Sequence, residues 1–273
     1  MTEFVQYLPL LLGIVVGGVC AGVLAGFLGV GGGIILVPVL SVVFDLVGFP
    51  DHLSIHMAVA TSLATIVFTS ISSVRAHHKR GAVDFDVLKS WGITMALGAL
   101  AGGLALRFID PAGLKLIFGL IAILVAVNLS MRRPLKLADQ LPQSPLAKSG
   151  LGGAIGLISS LMGIGGGTLG VPILTGYAQP IARAVGTAAG FGLIIAVPAV
   201  IGFVISGAGI PDRPPLSLGY ISLPTVLIVI PFTMALAPVG AKLAHTVDPK
   251  WVKRGFSVFL ALTAVRMLSG VLG

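Results

Sequence analysis

Charge is what this chain has least of. Lys, Arg, Asp and Glu make up 10% of its 273 residues, against about a quarter in ordinary soluble domains. A water-soluble core of this size needs a charged shell, and too few charges are present to build one. None of Asp84, Asp86, Asp110, Asp139 or Asp248 falls in the middle of an apolar run. A buried carboxylate, the usual carrier of a cation or coupling proton inside a membrane, has no candidate, and an anionic substrate is favoured. Cysteine is nearly absent as well. Cys20 is the single one and lies in the first apolar run, so there is no disulfide framework. It has no histidine nearby to activate it, which counts against an intramembrane enzyme. No set of His, Cys and carboxylates stands at ligand spacing, so neither a metal nor a cofactor is expected. The start "MTEFVQY" lacks a basic stretch, so the first run reads as a retained span and not a cleaved leader.

What is present is apolar. Hydrophobic residues make up 56% and the mean hydropathy is +1.08. Several runs approach or pass the ~18 residues that cross a bilayer. The expected fold class is an all-α polytopic membrane protein. Ten candidate segments lie near 7–28, 34–48, 54–74, 87–106, 113–130, 149–162, 168–179, 184–206, 219–241 and 255–272. The polar stretch 131–148 separates them into a first repeat (1–130) and a second (149–273), and is expected to be a cytoplasmic linker.

The halves resemble each other. "FLGVGGGIILVPVL" (27–40) answers "LMGIGGGTLGVPIL" (161–174), 134 residues later. "AVATS" (58–62) answers "AVGTA" (184–188), and "GGLALRFIDP" (102–111) answers "GAKLAHTVDP" (240–249). Three matches in one order indicate an internal duplication. With the N-terminus outside, 13 of the 17 Lys and Arg residues fall in cytoplasmic loops, as the positive-inside bias requires. That bias also explains the net charge of +8, and no nucleic-acid partner is expected. Five segments per half is an odd number, so the second half must enter from the opposite face. Inverted repeats of this kind characterise secondary transporters.

The second leg after each glycine run is short, and the second is also broken by Pro172. Such legs belong to broken or re-entrant hairpins, and two re-entrant hairpins would bring their glycine tips together mid-membrane. Gly31, Gly32 and Gly33, with Gly165, Gly166 and Gly167, would expose backbone N–H groups where the next helices start. Helix N-termini bind anions without a formal positive charge, and Thr168 adds a hydroxyl where the first half has Ile34. The competing reading is close helix packing, which fits the pairs Gly18/Gly22, Gly22/Gly26, Gly98/Gly102 and Gly152/Gly156. Packing does not call for consecutive glycines. Neither run ends in the Lys-Ser/Thr of a nucleotide loop. Thr61, Ser62 and Thr65 in segment three, and Thr187 in segment eight, are hydroxyls inside spans and further candidates. His77 and His78 sit in a basic loop and read as topology.

With these paired glycine runs and the "AVATS" and "AVGTA" stretches, the chain resembles the TauE/SafE family of sulfite exporters over essentially its whole length. The resemblance implies an inner-membrane permease for sulfite or a small organosulfonate. It implies that Gly31–Gly33 and Gly165–Gly167 line the path, with Thr61 and Thr187 beside them. The expected partners are a small anion, the lipid bilayer and, from the small-residue faces, a possible second copy in a homodimer. An anion channel, or a permease for another small organic anion, is the alternative.

Overall fold

The computed structural model describes residues 2–131, 136–244, 246 and 249–272. Arg132 and Arg133 of the linker, and Asp248 of the second Asp-Pro step, lie outside them. Ten α-helices follow one another among the described residues: α1 (Thr2–Leu28), α2 (Gly33–Val47), α3 (Asp51–His78), α4 (Phe85–Ala105), α5 (Pro111–Ser130), α6 (Pro145–Leu161), α7 (Gly167–Gly176), α8 (Ile181–Ser206), α9 (Leu223–Leu243) and α10 (Pro249–Leu272). They match the ten apolar segments one for one. The sequence did not foresee the small hairpin of β1 (Ser217–Leu218) and β2 (Ile221–Ser222), which takes up the start of the ninth segment.

Local chemistry sets several boundaries. The Asp84 carboxylate accepts from the N–H groups of Asp86 and Val87 and opens α4. Asp110 accepts from Gly113 N–H and opens α5, with Pro111 in the first turn where no donor is needed. Gly48 closes α2 in the left-handed region, at φ 81°, where a side chain would be strained.

Six helices are long and apolar enough to cross a membrane: α1 from Leu11, α3, α4, α5, α8 and α9, counting described residues only. α2 and α7, with 15 and 10 residues, rise only about 22 and 15 Å. A hydrocarbon core is about 30 Å thick, so both stop short. Large apolar side chains point outward from α4, α5 and α9, including Ile93, Leu97, Leu124 and Leu227. On a soluble surface they would be costly; in lipid they are the solvent-facing layer. α3 and α8 run through the middle of the bundle and are the most buried spans.

Equivalent helices run in opposite directions. Asp84, just past the end of α3, pairs with Arg183 in the first turn of α8. At the other face, Tyr220 donates its N–H to Phe203 near the end of α8 and stacks on His56 near the start of α3. This is inverted topology. The halves also exchange partners. Gly22 of α1 lies against Thr233 and Phe232 of α9, and Gly156 of α6, 134 residues on, lies against Met95 of α4. Gly240 of α9 meets Val23 of α1, and Gly102 of α4 meets Leu157 of α6. The small-residue faces are therefore spent inside the chain, joining one half to the other. A homodimer has to be sought on some other surface.

Candidate substrate site at the glycine corners

The chain turns from α1 into α2 through Gly31 and Gly32, at φ 71° and 79°, conformations that side chains other than glycine rarely adopt. The carbonyl of Gly32 accepts from Ile35 and Leu36, and that of Gly166 from Gly170. Neither helix start carries a side-chain cap, so the N–H groups of Gly33 and Ile34 in α2 and of Gly167 and Thr168 in α7 are left to whatever lies in front of them.

What lies in front is the other corner. A Cβ on Gly31 would stand 3.3 Å from the Cα of Gly165, and one on Gly165 would stand 3.0 Å from the Val30 carbonyl oxygen. A Cβ on Gly33 or Gly167 would overlap the carbonyl of Gly163 or Gly29. The two tips touch backbone to backbone, fully buried. Ser62 of α3 reaches into this contact and donates to the Gly163 carbonyl at 2.8 Å. Ile66 of α3 covers Gly31 and Gly33, and Phe191 of α8 covers Gly166 and Gly170.

Thr168, in the first turn of α7, is 1% exposed and its hydroxyl has no hydrogen-bond partner. An unpaired buried hydroxyl costs about 1–3 kcal/mol relative to a paired one. Of the two hydroxyls at the corner, that of Ser62 is bonded and that of Thr168 is not.

Thr61 and Thr187 do a different job. Thr61 Oγ1 accepts from the N–H of Ser222, the N-cap of α9, at 3.0 Å. Thr187 Oγ1 accepts from the N–H of Asp84, the N-cap of α4, at 2.9 Å. The two bonds are equivalent under exchange of the halves, and each ties a central helix to the start of a peripheral one. Together the expected residues divide into a corner group (Gly31–Gly33, Ser62, Gly165–Gly167, Thr168) and a pair of tethers (Thr61, Thr187).

Beside the Thr187 tether a shallow pocket is lined by Asp84, Val87, Leu174, Gln179, Arg183 and Thr187. Arg183 reaches Asp84 across it at 2.9 Å but is half exposed. Water screens such pairs to about 1 kcal/mol or less. Arg183→Gln is expected to lower the melting temperature in detergent by no more than about 2 °C, with the deficit vanishing in high salt. A larger, salt-insensitive loss would show that the pair is a structural clamp.

His77 departs from the sequence reading. It is buried, and Nε2 lies 2.9 Å from the Gly26 carbonyl of α1; only His78 lies at the surface, edge-on to Phe85. No group of three His, Cys or acidic residues stands close enough to hold a metal among the described residues. The sequence also underrated Thr69, Ser70 and Ser73, buried on the same face of α3. The signal was present in "TSLATIVFTSISS", where hydroxyls recur every three or four residues.

The sulfite exporter TauE/SafE family profile matches residues 14–267. A "Probable membrane transporter protein" of Haemophilus influenzae is 33% identical over 94% of this chain and 97% of its own. One of Methanocaldococcus jannaschii is 30% identical over 97% of both chains. The Bacillus subtilis protein YdhB, of the same description, is 30% identical over 89% of this chain and 94% of its own. No solved structure matches. Transport, not catalysis, is the common description of these relatives. A match across both glycine corners and all the spanning helices leaves one assignment: this chain belongs to the sulfite exporter TauE/SafE family and is a multi-pass membrane transporter.

Proposed function

We propose that the transporter carries a small sulfur oxyanion, sulfite or an organosulfonate such as sulfoacetate, across the inner membrane by alternating access. The anion binds where the N-termini of α2 and α7 face each other, coordinated by first-turn N–H groups and the Thr168 hydroxyl. The observation that carries this reading is the meeting of two uncapped helix starts at a buried contact holding an unpaired hydroxyl. Both helix dipoles favour negative charge there, and no described acidic side chain competes mid-span. The tips touch in this conformation, so binding requires them to part, as alternating access demands. The face bearing Arg75, Lys79, Arg80 and Arg183 is assigned to the cytoplasm by its positive charge.

Valine at Gly32 or Gly166 cannot test this, because a side chain there would meet the Ala21 backbone or the Phe191 side chain and disturb the fold itself. Thr168→Val can. It keeps the shape and removes a hydroxyl that contributes no protein hydrogen bond, so the melting temperature without anion is expected to be no lower than that of wild type. Purified protein is titrated with sulfite, thiosulfate, sulfate, sulfoacetate and taurine, and with acetate as a sulfur-free carboxylate. Saturation at a hundredfold over Kd adds about 2.7 kcal/mol, a rise of roughly 5–10 °C. One sulfur anion is expected to give this rise, with the Kd at least tenfold weaker in Thr168→Val. A full response in the variant would move the site away from α7. A response to a carboxylate but to no sulfur anion would identify a permease for another organic anion.

A further inference from the structure

The two central helices are equivalent in position but not in chemistry. Their register is fixed by two independent contacts. Gly163 abuts Val59 while Gly29 abuts Val185, and Thr61 and Thr187 make matching tethers. In that register, with α8 positions 126 residues after those of α3, the α3 stripe Ser62, Thr65, Thr69, Ser70 and Ser73 corresponds to Ala188, Phe191, Ile195, Ala196 and Ala199 of α8. All ten side chains are buried, none above 1% exposed. One seam is hydroxylated along its length and the other is wholly apolar.

Burial does not explain the difference, because the α8 seam is buried as deeply without hydroxyls. Local hydrogen bonding explains only part of it. Thr65 and Thr69 donate to the carbonyls of Ser62 and Thr65 on their own helix, as such residues commonly do. Ser70 and Ser73 make no such bond: their oxygens are buried, 1% exposed, and unpartnered. Ser70 is turned against Gly192 of α8, in the space a side chain there would fill. The stripe starts at Ser62, bonded to the glycine corner, and runs to the face where α3 ends among exposed Arg75, Lys79 and Arg80.

We infer that the hydroxyl stripe of α3 is the wall of the permeant's route between the glycine corner and the basic face, and that the matching α8 seam is closed packing. The route rests on reading the corner as the anion's midpoint. Neutral hydroxyl donors suit a small oxyanion in transit, because they replace part of its hydration without holding it as a fixed cation would. The basic residues at the mouth concentrate anions there.

The natural scarcity of cysteine makes the test direct. In a Cys20→Ser background, Thr69→Cys and Ser73→Cys are compared with Ile195→Cys and Ala199→Cys in sealed vesicles. The probe is a membrane-impermeant sulfonated maleimide, and Lys79→Cys marks the basic face. Thr69→Cys and Ser73→Cys are expected to label at least tenfold faster than the two α8 variants, and only from the face that labels Lys79→Cys. Equal labelling of the two helices, or labelling of the α3 variants from the opposite face, overturns the route. Added sulfoacetate is expected to slow labelling at Thr69→Cys at least threefold. Fast labelling that no sulfur anion slows supports the route and removes the support for the corner as its anion site. If a cysteine variant fails to assemble, the Thr69→Val/Ser73→Ala double variant is assayed for sulfite flux. At least a fivefold loss with an unchanged melting temperature is expected, and wild-type flux overturns the route.

Discussion

Gly167→Ala is expected to leave little or no folded protein. A methyl group there would overlap the carbonyl of Gly29 and crowd the Cα of Val30 on the opposing corner. Gly167 lies in the first turn of α7 with no left-handed strain to relieve, so the effect is purely steric. Ordinary overpacking costs about 1–3 kcal/mol because side chains adjust. Here backbone meets backbone at the middle of the molecule, and the loss should exceed about 3 kcal/mol. Gly150→Ala is the control. That glycine lies inside α6 with open space around its Cα, so alanine should stabilise by up to about 1 kcal/mol. Recovery of a monodisperse peak and its melting temperature decide the matter. A Gly167→Ala protein melting within a degree of wild type would mean that the corners are not in contact.

Thr61→Val is expected to lower stability by about 1–3 kcal/mol, the cost of leaving a buried donor unpaired, or roughly 2–10 °C in melting temperature. The donor is the N–H of Ser222, with both residues within 5% exposure. Thr187→Val should cost less. Its donor, Asp84 N–H, lies beside the open pocket and only partly buried, where water can replace the lost acceptor. Thr61→Ser should recover most of the loss by restoring the oxygen. Equal small effects from both valine variants would refute the tethering role. The contrast with Thr168→Val is the point of the series: two threonines whose loss weakens the fold, and one whose loss weakens only binding.

The sequence carried the architecture because lipid imposes it. Ten apolar runs, two matched glycine corners and an odd number of segments per half were enough to place every helix and to set the halves head to tail. The corners' mutual contact followed from that geometry. Partners distant in sequence were not legible. Thr61 and Thr187 stood out as an equivalent pair, but their donors, Ser222 and Asp84, are separated from them by 161 and 103 residues. Nothing local marks either donor as needing them. His77 was read as part of a basic loop because its acceptor, the Gly26 carbonyl, is an ordinary backbone group on α1. The α3 stripe was visible as single hydroxyls, and its meaning emerged only when spatial contacts fixed the register against α8. The β1–β2 hairpin, at two residues per strand, is too short to leave any periodic trace.

The exchange of partners between the halves also bears on how the molecule comes to be made. Synthesis proceeds from the N-terminus, and α1 and α4 enter the bilayer carrying glycine faces shaped for α9 and α6. Until residues 145–243 have followed, those grooves meet only lipid, and the first glycine corner has no opposing corner to rest on. The first half is thus an open clasp and not a finished unit, and the fold closes only when the second half threads back into it.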